Sequence, residues 1–308
     1  MAHDHAHHHH AHHHNDAKLL GRAFLLIASF MVVELVGAYL TNALVLLADA
    51  GHMLLDAMAL GLAWGAARLS QRNADQSLSY GYHRMQVLVA FVNGLMLAGL
   101  VVWIAIEAVG RVMHPEPMIP LPALAVATIG FFVNIIAYRW LHGASDNPNV
   151  RSAALHVLGD LLGSMAAIVA ALCAYFFQWY YADPILAMVI VVILSRGAYR
   201  VISESAHILL EGVPKGVDLA EIKQVLCERV PNVVGVHHVH AWALNAEQPL
   251  LTLHANVIEP SHMEDAINDI KSVLTERFGI EHSTIQVELG PCPDVDGAET
   301  ISRRHDPR

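Results

Sequence analysis

A chain of 308 residues that is 55% hydrophobic and only 15% charged is too apolar for an ordinary water-soluble protein and reads as one that crosses a bilayer several times. Much of its formal net charge of -10 comes from the segment starting at Glu211, where acidic residues outnumber basic ones; this argues against nucleic acid and anionic lipid as partners and is compatible with attracting cations. The three cysteines, Cys173, Cys227 and Cys292, have no paired spacing, so neither a disulfide framework nor a Cys-rich zinc site is expected.

Residues 1–16, MAHDHAHHHHAHHHND, form a low-complexity His-rich arm that is expected to be disordered. Asp and Ala interrupt its histidines, unlike a designed tag. It reads as a metal-collecting tether, since neutral imidazoles bind Zn2+ and protons compete for them. Six apolar stretches follow, at about 19–40, 43–69, 85–109, 119–140, 151–177 and 184–201. Each is near or above the roughly 20 residues that a bilayer requires, and together they set a six-helix membrane domain at 17–210. The first is too long for a cleaved signal peptide and leads at once into a second span. Lys18, Arg22, Arg68, Arg72, Arg84, Arg139 and Arg151 fall on one side of these spans, against little beyond Arg111 on the other. Both termini are therefore expected in the cytoplasm.

The second and fifth spans each carry a His-x-x-x-Asp pair, His52 with Asp56 and His156 with Asp160. Residues four apart share a helix face, so two facing helices offer two nitrogens and two oxygens, a tetrahedral donor set suited to Zn2+. Ionisable groups in membrane helices are costly and mark ion paths. A hydrogen-bonded His–Asp pair holding two helices together accounts for one such motif, not for two. Asp49 lies on the same stripe as His52 and Asp56 and is a candidate exit or proton-relay group. His156 lies soon after Arg151, so span five must extend beyond the bilayer or tilt for the pairs to meet. Gly61 with Gly65, and Gly159 with Gly163, are expected to let these helices approach closely. Glu34, Asn93, Glu107 and Asn134 stay open between lining a pathway and bonding helices together.

Residues 211–290 change period to a small α/β domain in the order helix, strand, strand, helix, strand. Asp218 with Glu221 and Ser261 with Glu264 are helix-start pairs. Strands are expected at 233–244, 250–258 and 283–289, with a turn at 245–249. Residues 291–308 are polar and read as a flexible tail.

The runs LLADAGHMLLDAMAL, SYGYHR, ALHVLGDLLGS, LLEGVP, VHHVHAW and TIQVE, spread between Leu19 and Cys292, resemble the cation diffusion facilitator family. The resemblance implies a homodimer in the bacterial inner membrane, each protomer having six transmembrane helices and a cytoplasmic ferredoxin-like or metallochaperone-like α/β domain. It also implies a transporter rather than an enzyme, exporting Zn2+ in exchange for protons, with further Zn2+ bound as a regulatory or structural ion. Carried over by motif, the transport site is His52, Asp56, His156 and Asp160, a His at position 52 being associated in the family with preference for Zn2+ over Cd2+. His83 and His282 match an interfacial metal position, although other bacterial members use Asp and His where this chain has Leu78 and Tyr82. His237, His254 and Glu288 match cytoplasmic metal ligands, with His238, His240 and His262 nearby. A membrane-anchored zinc sensor or buffer is the alternative reading. An intramembrane metalloprotease is disfavoured, because the chain lacks His-Glu-x-x-His and the tetrad leaves no open coordination position for water.

Overall fold

A computed structural model describes residues 9–72, 74–142, 148–245 and 248–292. Six long helices come first: α1 His9–Thr41, α2 Leu44–Ser70, α3 Arg84–Met113, α4 Pro120–His142, α5 Pro148–Phe177 and α6 Ala182–Leu209. Each is long and apolar enough to cross a membrane, which makes the chain a multi-pass membrane protein. Helix α1 starts inside the segment expected to be an unstructured arm. Residues 9–20 contain neither Gly nor Pro, so nothing local stops the first span from propagating backward. Residues 1–8 of that arm, and residues 293–308 of the expected tail, lie outside the described residues.

The chain divides into two compact units, Met1–Ala66 with Val89–Ile202, and Ala67–Leu88 with Ser203–Arg308. In the first, α4 lies against both α1 and α5. Its interior is built largely of small side chains, with Ala38, Ala48, Ala108, Ala127, Ala170 and Ala171 all buried, while Leu25, Ile106, Phe132 and Phe176 are exposed. Small residues inside and large apolar residues outside suit helices that pack on one another within lipid.

The start of α2 is anchored from two other helices. Buried Asp183, in the first turn of α6, accepts hydrogen bonds from the backbone N–H of Leu44 (2.7 Å) and Val45 (3.0 Å). These are among the N–H groups that a helix cannot satisfy internally, and the carboxylate also complements the positive end of the helix dipole. Arg111 of α3 donates to the carbonyl and side-chain oxygens of Asn42, both at 2.7 Å, and to Glu107 at 2.9 Å. Asn42 is left-handed, at φ 54°, a conformation that asparagine tolerates better than most residues.

The second unit holds α7 Leu219–Arg229, β1 Val233–Ala243, β2 Pro249–Val257, a 3-10 turn Pro260–His262, α8 Met263–Phe278 and β3 His282–Glu288. The expected order is thus observed. The sheet runs β1-β2-β3, with β1 antiparallel and β3 parallel to β2. Ile222 and Leu226 of α7, Leu251 and Leu253 of β2, and Ile270 and Leu274 of α8 form its core. Asp218 caps α7 by accepting from the N–H groups of Ala220 and Glu221. Ser261 does not cap α8, contrary to expectation: the 3-10 turn makes His262 the cap position, with no side-chain cap bond, and the Ser261 hydroxyl meets His262 Nδ1 instead.

Replacing Asp183 by Ala strands two buried N–H groups, each worth about 1–3 kcal/mol when unsatisfied. The thermal midpoint of the purified protein in detergent is expected to fall by several degrees. An unchanged midpoint would mean that α2 is held by other contacts.

Candidate metal sites

Helix α2 presents Asp49, His52 and Asp56, and α5 presents His156 and Asp160. His156 Nε2 lies 3.2 Å from Asp56 Oδ2 and 3.9 Å from Asp160 Oδ2, and His52 Nε2 lies 3.4 Å from Asp56 Oδ2. The two imidazole rings sit edge to face with centroids 5.7 Å apart. One donor atom each from His52, His156 and Asp160 falls within 4.8 Å of the others. Tetrahedral Zn2+ ligands at ordinary bond lengths stand about 3.3 Å apart, so a small contraction gathers these three. Asp56, already touching both imidazoles, supplies the fourth. Asp160 Oδ2, Asp56 Oδ2 and His52 Nδ1 are buried atoms with no hydrogen-bond partner, as expected of donors shaped for a cation.

The site is graded in depth. Asp160 has 2% of its side chain exposed, Asp56 33% and His156 46%. Asp56 and His156 open onto a cavity of about 400 Å³ walled mainly by apolar residues such as Phe24, Ile27, Met31, Leu60 and Leu141. Those residues come from the middle and second half of α1, the second half of α2 and the end of α4. Helix α5 begins at Pro148 and has 30 residues, about 45 Å at 1.5 Å per residue. This length lets His156 reach the tetrad although Arg151 precedes it so closely.

Of the four glycines expected to bring α2 and α5 together, only Gly163 does so. A Cβ there would come within 2.6 Å of Asp49 Oδ1, whereas Gly61, Gly65 and Gly159 have nothing within 4 Å of that position. Spacing alone cannot say which face a small-residue step turns to a neighbour.

In the sheet, His237 and His254 are direct cross-strand partners. Glu288 pairs with Asn256, two residues beyond His254, so it points to the same face. Its carboxylate oxygens lie 3.0 Å from His237 Nε2 and 3.0 Å from His254 Nδ1. Burial pushes the Glu288 carboxyl up, but hydrogen bonds from Gln286 and Cys292 and the two imidazoles outweigh this and hold it below the ordinary range. Cys292 Sγ, 3.4 Å from His254 Nδ1, joins these three as a potential ligand. Sequence spacing missed it because its histidine partners, His237 and His254, are distant in the chain. The β1 register shifts between His237 and His240, and His238 has φ 47°. Such a bulge breaks the alternation of faces, and the His238 ring sits 4.9 Å from that of His254. His240 is exposed, and His262 is engaged by Glu259 at 3.1 Å; neither belongs to the cluster.

His83 and His282 line one cavity of about 640 Å³ in this unit, but they are in no group of three or more metal-ligating side chains among the described residues. The neighbouring loop is ordered by Asp75, which accepts from the N–H and hydroxyl of Ser77, the N–H of Leu78 and the hydroxyl of Tyr82. These bonds hold the Asp75 carboxyl well below its ordinary range. Tyr82 is thereby committed to the loop.

Residues 20–210 match the family model described as the cation efflux transmembrane domain, and residues 214–289 match that of the cation efflux protein, cytoplasmic domain. The chain is 42% identical over 307 residues to the zinc transporter ZitB of Escherichia coli (strain K12), covering 98% of each. It is 35% identical over 294 residues to a cadmium, cobalt and zinc/H(+)-K(+) antiporter of Bacillus velezensis, covering 94% of this chain and 92% of the relative. A solved structure, the metal-bound C-terminal domain of the CzcD transporter from Cupriavidus metallidurans, is 33% identical over 24% of this chain and all of that one, with a TM-score of 0.22.

Loss of a group that merely supports a metal ligand costs about 10–100-fold in affinity, and loss of a ligand costs at least that. In full-length protein carrying Asp160→Ala to silence the membrane site, adding Glu288→Gln is expected to weaken Zn2+ binding by more than about tenfold in dye competition. Equal affinity would remove Glu288 from the ligand set.

Proposed function

Because the chain belongs to the cation efflux family, also called the cation diffusion facilitator family, we propose that it is a homodimeric zinc efflux transporter of the bacterial inner membrane, exchanging cytoplasmic Zn2+ for external protons. The observation that carries this reading is the convergence of His52, Asp56, His156 and Asp160 from two membrane helices beside a largely apolar cavity. The names of the relatives, a zinc transporter and a metal/proton antiporter, support both the cargo and the counter-ion.

The steps follow from the ligands. Zn2+ enters through the cavity and meets Asp56 and His156 at its rim, with Asp160 as the buried floor. An imidazole nitrogen holds either a proton or a metal, so binding displaces protons from His52 and His156. When the site opens to the acidic outside, protons compete for the same nitrogens and the metal leaves. The exchange is alternating access around one fixed site, with Asp49 as the exit or relay group.

The cytoplasmic domain binds Zn2+ through His237, His254 and Glu288 and stabilises the dimer. It favours one conformation if its zinc affinity differs between the two. His83 and His282 form a secondary metal contact, and the His-rich arm gathers zinc ahead of uptake. The family is one of transporters, and we assign no enzymatic activity.

Proteoliposomes holding a zinc dye and acidified inside are expected to accumulate Zn2+, with Asp160→Ala reducing the flux below about a tenth, since the change removes a ligand. Zinc binding without flux in the unaltered protein would replace this reading with that of a membrane-anchored sensor or buffer.

A further inference from the structure

Beyond the tetrad, a second polar group is buried where α1, α2, α4 and α5 supply one residue each: Glu34, Asp49, Asn134 and Ser164, all 4% exposed or less. Asn134 Nδ2 donates to Ser164 Oγ at 3.3 Å, which leaves the hydroxyl hydrogen for Asp49, to which Ser164 is hydrogen-bonded. The carboxyls of Asp49 and Glu34 lie within hydrogen-bonding reach of each other. Two carboxylates have no hydrogen between them, so a hydrogen bond joins them only when the pair holds a proton. Burying two adjacent unshared negative charges is strongly unfavourable, and one proton between two carboxyls relieves it.

The remaining surroundings point the same way. Asp160, one turn along α5 from the Gly163 on which Asp49 is seated, adds negative charge near the pair, and α4 contributes the neutral Asn134. Glu34 Oε1 and Asp49 Oδ2 have no hydrogen-bond partner. The Asp49 carboxyl is seated on Gly163, where any side chain would collide with it.

We propose that Glu34 and Asp49 hold one exchangeable proton between them and that this proton leaves when metal binds the tetrad. Asp160 is the link, being both a ligand and the charged neighbour of the pair. A divalent ion on Asp160 compensates the second negative charge that the pair acquires when its proton departs to water. Departure of the metal restores the need for that proton. The antiport thus draws on a carboxyl proton in addition to those on the imidazoles, and Asp49 acts with Glu34 rather than alone. This inference rests on the proton-exchange reading above.

The test counts protons released per Zn2+ bound by the full-length protein, using calorimetry in buffers of different ionisation enthalpy. Glu34→Gln keeps the size and hydrogen-bonding capacity of the side chain but cannot ionise. It is expected to release about one proton fewer than the unaltered protein, with the cytoplasmic site contributing equally to both and cancelling. Asp49→Asn is expected to show the same deficit and serves if Glu34→Gln does not fold. An unchanged proton count with zinc still bound overturns the proposal, as does a loss of zinc flux with no change in the count, which is what a purely structural pair would give. Failure of the antiport reading is seen separately, as flux in the unaltered protein that ignores the pH gradient, because the count on binding does not depend on flux.

Discussion

Everything in the membrane unit depends on how its buried negative charge is met. Glu34, Asp49, Asp56 and Asp160 lie in helices long and apolar enough to cross a membrane, where an uncompensated charge costs several kcal/mol or more. Arg111, in the same unit, is taken up by Asn42, Glu107 and Asp183. Under the proposed function, these carboxyl groups rely on cations that bind and leave, metal at the tetrad and protons on its imidazoles and neighbouring carboxyls. A structural ion-pair network would carry its own fixed countercharges. In an exchanger, a cluster of acids with two imidazoles instead makes occupancy by one cation dependent on the loss of another.

Such exchange needs donors that stay in register while the surrounding helices move. Each residue along an α-helix turns the side chain by about 100°, so a one-residue slip of α2 would take His52 and Asp56 away from α5. The register is fixed at the start of α2 by Asp183 of α6 and, through Asn42, by Arg111 of α3. One contact lies deeper, where the carboxyl of Asp49 fits against the bare backbone of Gly163. The small-residue core serves the same end, since alanine-lined helices approach closely without needing long side chains to interdigitate.

The tetrad was legible in the sequence because its chemistry and its period coincide: residues four apart on one helix must share a face, and no tertiary information is needed to see it. The same holds for the strands, whose alternation gave both their order and their limits to within a residue or so. What could not be read depended on contacts between distant elements. Asp183 looks like any residue before a proline, yet it caps a helix that begins 139 positions earlier. Cys292 has no cysteine partner and was set aside on spacing, although the parallel pairing of β2 with β3 brings the strand it follows beside His254. Gly61 and Gly65 repeat the spacing of a packing motif on a face that meets no other side chain within 4 Å among the described residues. The start of α1 moved because helix propagation from an apolar span overrides the low-complexity character of the preceding histidines.

The two metal-ligating clusters differ in ways that suit different tasks. At the tetrad the donors spread across two helices, one imidazole is half exposed, and Asp56 touches both rings while Asp160 Oδ2 lies 3.9 Å from His156 Nε2, so gathering all four around one ion needs a contraction. In the sheet, His237 and His254 are fixed by backbone register and Glu288 by the adjacent strand, and the ligands meet at about 3 Å without any element shifting. The preorganised cluster loses less conformational entropy on binding, and a thiol at its edge adds a donor that Zn2+ favours. Under the proposed function, a transport site must let go of its ion, whereas a site that reports on zinc must still be filled when transport has done its work; the rigid sheet suits the second task.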